Sequence, residues 1–209
     1  VDVQLVGGLT RMARGWADYE TVLARIKAPT FPDRDFPITD FGAKAGTDAT
    51  AAITAAIEAC TQAGGGRVVV PPGEWLTVAL TLKSNVNLHV SEGATLRWLF
   101  EPARYPLVFT RWEGMELMNY SAFIYAYGQE NIAITGKGTL DGGATWDTWW
   151  SWNLRGDPVK KQKPARDRLI ERALADPGWF PIATLDASTR LVQSVVAGGG
   201  IRRGLDSMK

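Results

Sequence analysis

Alternating apolar and polar residues, interrupted by glycine, occur twice in nearly the same order along this chain. Residues 85–96 read N-V-N-L-H-V-S-E-G-A-T-L, and residues 131–140 read N-I-A-I-T-G-K-G-T-L. Each copy predicts a strand, a bend at Gly and a second strand. Rungs of roughly 20 to 30 residues are typical of a coiled β-solenoid. The copies start 46 residues apart, which predicts two rungs; two unrelated hairpins are the alternative.

Helical periodicity is confined to short parts of the chain. A weak amphipathic helix is predicted over 18–27, and a firmer helix over 49–63 is capped by Asp48 and ended by Gly64. This second helix would cover one end of the coil, where strand edges would otherwise be open. Strands are predicted at 68–70, 76–82, 86–90, 95–100, 123–127, 132–135 and 138–140.

Composition narrows the classes of partner. The 209 residues are 45% hydrophobic and 22% charged, which suits one elongated domain with a real core. Twenty-three basic and 22 acidic residues give a formal charge of +1, so we expect neither nucleic acid nor a membrane surface as partner. The single cysteine, Cys60, excludes an internal disulfide and a thiolate metal cluster, and we expect it to be buried.

Six phrases along the chain carry a family resemblance. The phrases are D-F-G-A-K-A-G-T-D (40–48), G-G-G-R-V-V-V-P-P-G (64–73), L-K-S-N-V-N-L-H (82–89), R-W-E-G-M-E-L-M-N-Y-S (111–121), I-T-G-K-G-T-L-D-G (134–142) and Q-K-P-A-R-D-R-L (162–169). Together they resemble the polygalacturonases of glycoside hydrolase family 28, and the fourth and sixth look like the exo-acting bacterial branch.

The resemblance covers roughly residues 19–170. It implies a mainly β fold, the right-handed parallel β-helix, in a secreted or periplasmic enzyme. It also implies inverting hydrolysis of α-1,4-linked galacturonate, with polygalacturonate or an oligogalacturonide as the partner. It implies neither a cofactor nor a metal. Oligomeric state and the choice between endo and exo action stay open.

The family's catalytic phrases are missing from this chain. Inverting hydrolysis needs an acid and a base whose carboxyl groups lie about 6.5 to 9.5 Å apart. Family members carry N-T-D, an Asp-Asp pair and G-H-G on successive rungs, and none of these occurs here. We therefore predict no catalytic residue, and a coil truncated before the catalytic rungs. His89 is interpreted as a structural strand residue, and Asp141 and Asp147 as turn residues.

Two clusters suggest contact with a sugar acid. Four of the nine tryptophans lie at 146, 149, 150 and 152, and indole faces stack on pyranose rings. Six cations between 155 and 168 could pair with galacturonate carboxylates. A loop core and a solvated charged loop are the respective alternatives. The candidate substrate-binding residues are Trp149, Trp150, Lys161, Lys163 and Arg166.

These patterns predict three regions. Residues 1–39 form a lead-in, residues 40–153 the first rungs with a capping helix at 48–63, and residues 154–209 a basic loop and a divergent tail. The likeness fades after Leu169, although 166–175 looks helical. Two hypotheses for this tail are a change of reading frame near Arg172 and natural divergence.

Three functions remain open at this point. The first is a polygalacturonase-like hydrolase that is incomplete in this chain. The second is a non-catalytic carbohydrate-binding or assembly module. The third, a pectate lyase, would need a cluster of acidic calcium ligands, and no such cluster stands out in the sequence.

Overall fold

Short parallel strands coil around one apolar interior. The computed structural model describes residues 18–112, 115–149 and 158–175. A first sheet has the strand order β1-β2-β5-β10, a second has β11-β6-β3, and a third pairs β4 with β9. The strands are β1 (Asp35–Pro37), β2 (Gly66–Val70), β3 (Gly73–Thr77), β4 (Leu80–Thr81), β5 (Val86–Val90), β6 (Ala94–Trp98), β7 (Leu107–Trp112), β8 (Met115–Tyr120), β9 (Ile124–Tyr125), β10 (Ala133–Gly136) and β11 (Thr139–Asp141). The coil is the right-handed parallel β-helix that the sequence predicts.

The two copies of the repeated phrase lie on adjacent rungs. Val68 pairs with Leu88, and Leu88 pairs in turn with Ile134. The rung between Asn85 and Asn131 is therefore a single turn of 46 residues, and the prediction of two rungs in this interval is wrong. The preceding turn, from β2 to β5, takes only about 20 residues.

An antiparallel hairpin accounts for the long rung. Strands β7 and β8 pair with each other, from Leu107 opposite Tyr120 to Trp112 opposite Met115, and join none of the three parallel sheets. These residues lengthen the turn without adding a layer to the coil. The sequence analysis missed both hairpin strands, and also β1.

The predicted capping helix is present as α2 (Thr50–Gln62), after a first helix α1 (Tyr19–Arg25). Four α2 side chains, Ile53, Ala56, Ile57 and Cys60, are fully buried, and α2 packs on β1, β2, β4 and β5. The residue at the N-cap is Ala49, a correction to the prediction of Asp48. The Asp48 carboxylate still accepts the Thr50 N–H at 2.9 Å.

Asparagine at the start of each repeated phrase has a backbone reason. Asn85 and Asn131 have φ of 67° and 53°, and Asn tolerates this left-handed region better than most residues. The Asn131 amide donates to Asn85 Oδ1 at 3.1 Å and to Thr30 O at 2.8 Å, while its Oδ1 accepts the Thr30 N–H. The turn therefore ties neighbouring rungs to each other and to the lead-in segment.

The basic segment is helical over most of its length, and not a loop as predicted. Helix α3 (Pro158–Ala175) includes the predicted helical stretch 166–175 and begins well before it. Residues 150–157 and 176–209, which hold Trp150, Arg155 and the tail, lie outside the described residues. The three predicted regions stay a prediction, as do both hypotheses about the tail.

Strand boundaries differ from the predictions in places. The predicted strand 76–82 is two strands, β3 and β4, and β3 begins three residues earlier than predicted, at Gly73. The strand 86–90 matches β5 at both ends. The strand 123–127 is shorter than predicted, as β9 covers Ile124–Tyr125.

Candidate functional site

An apolar cavity of about 320 Å³ opens beside the coil. Trp98 stacks on Phe123 at 5.2 Å between ring centroids, and Trp149 meets Phe123 edge-on at 5.7 Å. Trp149 also contacts Phe100 and Tyr105 edge-on, at 4.6 and 5.6 Å. The cavity is lined by Pro102, Tyr105, Tyr120, Ser121, Ala122, Phe123 and Trp149.

Hydroxyl groups around the cavity donate to backbone carbonyls. Tyr105 Oη donates to Leu99 O at 2.9 Å, and Ser121 Oγ to Ala122 O at 2.8 Å. Burial raises the pKa of Tyr105 and, against the opposing effect of Arg168, that of Tyr120, so both phenols stay neutral at physiological pH. The cavity therefore offers aromatic surface rather than free hydroxyls or charge.

Helix α3 is held against this cavity by two side chains. Arg168 donates to Pro102 O at 3.1 Å and to Tyr105 O at 3.0 Å, and its guanidinium lies 5.4 Å from the centroid of the Tyr120 ring. Tyr120 Oη donates back to Ala165 O at 2.8 Å. The family-like phrase at 162–169 therefore packs against the end of the phrase at 111–121.

Of the three cations proposed to bind substrate, the structure describes the side chains of Lys163 and Arg166. Both lie close to the carboxylate of Asp167. Lys163 forms an ion pair with Asp167, and Arg166 Nη2 lies 3.6 Å from its Oδ1. The hydrogen bond from Lys163 is the main cause that lowers the pKa of Asp167. The Lys161 backbone belongs to α3, but its side chain lies outside the described residues. Lys163 and Arg166 thus form a charged helix face, and a substrate role for them stays a proposal.

The tryptophan cluster divides into packed and exposed members. Trp149 is half-buried in the aromatic wall, whereas the Trp146 side chain is 61% exposed. Trp149 therefore fits the interpretation that the tryptophans form the core of a loop. Its position on the cavity wall keeps a contact with substrate open.

Other polar residues singled out in the sequence have structural partners. Thr135 Oγ1 donates to Asn87 Oδ1 at 2.8 Å and accepts from His89 Nδ1 at 2.9 Å, so His89 joins two rungs. Asp141 accepts the Gly143 N–H and pairs with Arg97 at 2.8 Å. The first of these bonds is the larger cause that lowers the pKa of Asp141.

Most of the cavity wall was missed by the sequence analysis. Tyr105, the run 120–123 and Trp149 come from three separate segments that no motif connects. Of the wall residues, only Tyr120 and Ser121 lie in a family-like phrase. Within the described ranges, no three His, Cys, Asp or Glu side chains lie close enough to hold a metal ion. None of the helices described has the length and apolarity that a membrane span requires.

Several known proteins that are similar to this chain have names that refer to enzymes of polysaccharides. The exopolygalacturonase of Thermotoga maritima superposes with a TM-score of 0.63 at 42% identity, over 71% of this chain and 36% of that one. The exo-poly-α-D-galacturonosidase of Dickeya chrysanthemi is 36% identical over 115 residues, half of this chain and 19% of that enzyme. Mannuronan C5-epimerase AlgE2 of Azotobacter vinelandii is 44% identical over 158 residues, 70% of this chain and 15% of that enzyme.

The matched segment spans about a fifth of the length of the curated galacturonan-acting relatives. No protein-family model matches the sequence. The chain is thus similar in sequence and in fold to polygalacturonases, and its partial coverage of them fits the N-terminal portion of their coil.

Proposed function

We propose that this chain forms the first rungs of a galacturonan-hydrolysing β-helix and that these rungs alone do not hydrolyse the polymer. The observation that carries the proposal is the parallel coil itself, which superposes on an exopolygalacturonase at 42% identity over 71% of this chain. The proposed substrate is α-1,4-linked polygalacturonate or an oligogalacturonide. Because that polymer lies outside the cell, the proposed location is secreted or periplasmic.

Catalytic incompleteness rests on the carboxylates. An inverting glycosidase holds two carboxyl groups on opposite sides of the scissile bond. The seven residues that line the aromatic cavity include no Asp or Glu. The sequence also lacks the three catalytic phrases that family members carry. The proposed role of these rungs is to support and orient a substrate, with inversion carried out on other rungs.

The test is the release of reducing sugar from polygalacturonate by the purified chain. We expect a rate no higher than that of the heat-denatured protein. A sustained rate that is abolished by one Asp or Glu substitution would refute the proposed incompleteness and identify the catalytic residue.

A second candidate is a non-catalytic binding module, favoured by the aromatic cavity without carboxylates. Both candidates predict no turnover by the chain alone, so a further measurement separates them. Adding the separately expressed later rungs of the Thermotoga exopolygalacturonase should restore hydrolysis if the chain is a portion of a hydrolase. Unchanged binding with no restored hydrolysis would favour the module.

The match to a mannuronan epimerase gives a third outcome to check. Both named activities concern polymers of uronic acids, so a carboxylate on every sugar is the feature common to the two groups of relatives. Incubation with mannuronan and proton NMR would detect inversion at C5. We expect none, and an epimerised product would contradict the proposed hydrolase.

A further inference from the structure

A second surface, separate from the aromatic cavity, lies where the hairpin meets the outer side of the third sheet. Tyr125 pairs with Thr81 in that sheet, and its Oη donates to Phe109 O on β7 at 2.7 Å. The Tyr127 ring stands edge-on against Phe109, with centroids 5.3 Å apart and planes at 80°. The hairpin therefore rises as a wall beside the sheet.

One aromatic ring on this wall faces solvent. The Tyr127 side chain is 62% exposed, although one edge is fixed by Phe109. A tyrosine held in this way presents a ring face at little entropic cost on binding. Ring faces of this kind pack against the apolar C–H face of a pyranose.

A cation lies on the same side of β7. Alternate residues of a strand point to one face, so Arg111 lies on the same face of β7 as Phe109, which contacts Tyr127. The Cα atoms of Phe109 and Arg111 are about 7 Å apart. Arg111 is exposed and has no carboxylate partner among the described side chains. Arg67, Arg97 and Arg104, by contrast, each form an ion pair.

Two neighbouring charges bear on this cation. Lys83, which follows Thr81 towards the same surface, is engaged by Glu58 at 2.5 Å. Glu116 stands opposite Arg111 in the hairpin ladder, and its side chain lies outside the described part of the structure. Arg111 is therefore the guanidinium on this surface that is open to a carboxylate from a ligand.

We propose that Tyr127 and Arg111 form a subsite for one uronate residue of a polysaccharide. The Tyr127 ring packs on the sugar face, and the Arg111 guanidinium binds the C6 carboxylate through a two-pronged charge-assisted contact. This inference rests on the proposed galacturonan function and adds two substrate-contacting residues to it. It requires binding only, and no bond of the sugar is broken there.

The experiment is calorimetric titration of the full chain with trigalacturonate, and with the neutral galactose trimer of the same linkage. We expect Arg111→Gln and Tyr127→Ala each to weaken trigalacturonate binding on the order of tenfold, about 1.4 kcal/mol. Tyr127→Phe keeps the ring and should bind like the unmodified chain. Lys137→Gln and Tyr19→Ala are controls at exposed positions elsewhere, with unchanged binding expected.

Glu116→Gln removes the carboxyl group at the position paired with Arg111 in the hairpin, and we expect binding that is equal or tighter. Thermal unfolding of each variant checks that the fold is retained. Equal affinity for the neutral trimer, or unchanged affinity in both Arg111→Gln and Tyr127→Ala, would overturn the subsite. Neither result bears on turnover, so the subsite and the proposed hydrolase function fail independently.

Discussion

Asp48 joins three parts of the molecule through one carboxylate. Its Oδ1 accepts the N–H and the hydroxyl of Thr50, at the start of α2, at 2.9 and 2.6 Å. Its Oδ2 accepts from Arg104 at 2.5 Å, and its backbone bridges to Leu76 on β3. Partial burial raises the pKa of Asp48, but the hydrogen bonds from Thr50 and Arg104 outweigh it and hold the pKa below its usual value.

Two substitutions of Asp48 should separate the contribution of its hydrogen bond to Thr50 from the contribution of its charge to stability. Asp48→Ala removes both contacts and should lower the free energy of unfolding by about 1 to 2 kcal/mol. Asp48→Asn keeps an acceptor for the Thr50 N–H and should cost less. Because the folded pKa lies below the unfolded value of roughly 3.9, the charge stabilises at neutral pH and loses this effect as pH falls through the folded pKa. Urea unfolding should therefore show the gap between Asp48→Asn and the unmodified chain closing below about pH 4, and a gap independent of pH would contradict this.

Asn131 is another residue whose side chain connects distant segments. Asn131→Asp keeps an acceptor for the Thr30 N–H but loses the amide protons donated to Thr30 O and Asn85 Oδ1. We expect a loss of about 1 to 2 kcal/mol in urea unfolding. The matched control is Asn119→Asp, since Asn119 uses only its Oδ1, which accepts the Tyr120 N–H. An equal effect of the two substitutions would show that the Asn131 amide contributes nothing specific.

At the scale of elements, the turn between β10 and β11 needs glycine for two reasons. Gly136 has φ of 105°, and a Cβ built there would lie 1.9 Å from Val90 O on the rung below. Gly128 also has a positive φ, of 65°, but a Cβ there would meet nothing within 4 Å. The pair separates backbone strain from close approach of rungs.

Gly136→Ala should therefore destabilise the coil much more than Gly128→Ala. The left-handed backbone costs an alanine about 1 to 2 kcal/mol at either position. At Gly136 the rungs must also move apart, so we expect at least 2 kcal/mol more, or failure to fold. Chemical denaturation of both variants is the measurement, and similar midpoints would mean that β10 does not stack on β5 in this register.

The sequence reveals the strands of this coil better than their stacking. The alternation over 86–90 predicts β5 at both ends, because the apolar residues Val86, Leu88 and Val90 occupy one face of the strand. The stacking of Asn85 under Asn131 was misjudged, because the β7–β8 hairpin adds residues to a rung without adding a layer. The cavity was missed since its wall comes from segments separated along the chain, whose contacts arise only when the coil closes.

On the scale of the whole molecule, the two ends of the described coil differ. Helix α2 covers one end with Ile53 and Ile57. At the other end, β9, β10 and β11 each pair on one side only within the described residues. Ile134 and Leu140 stack on the fully buried Leu88 and Leu96, yet are 47% and 45% exposed. Unpaired strand edges beside exposed apolar side chains favour association.

We therefore expect self-association through the edge that β9, β10 and β11 form. We expect the weight-average mass in sedimentation to rise with concentration, and the double substitution Ile134→Glu with Leu140→Glu to suppress the rise. Ile26→Glu is the control, because Ile26 is 68% exposed but lies next to α1 rather than on the coil edge. A mass that stays monomeric, or a rise that only the control substitution suppresses, would contradict self-association through this edge.

The central claim is that these rungs recognise a galacturonan without cleaving it. Size-exclusion chromatography of polygalacturonate after prolonged incubation with the chain tests both halves in one run, because it reports co-elution and polymer length together. We expect the protein to elute with the polymer and the polymer length to stay unchanged. A shortened polymer, or protein that elutes apart from an intact one, would contradict it.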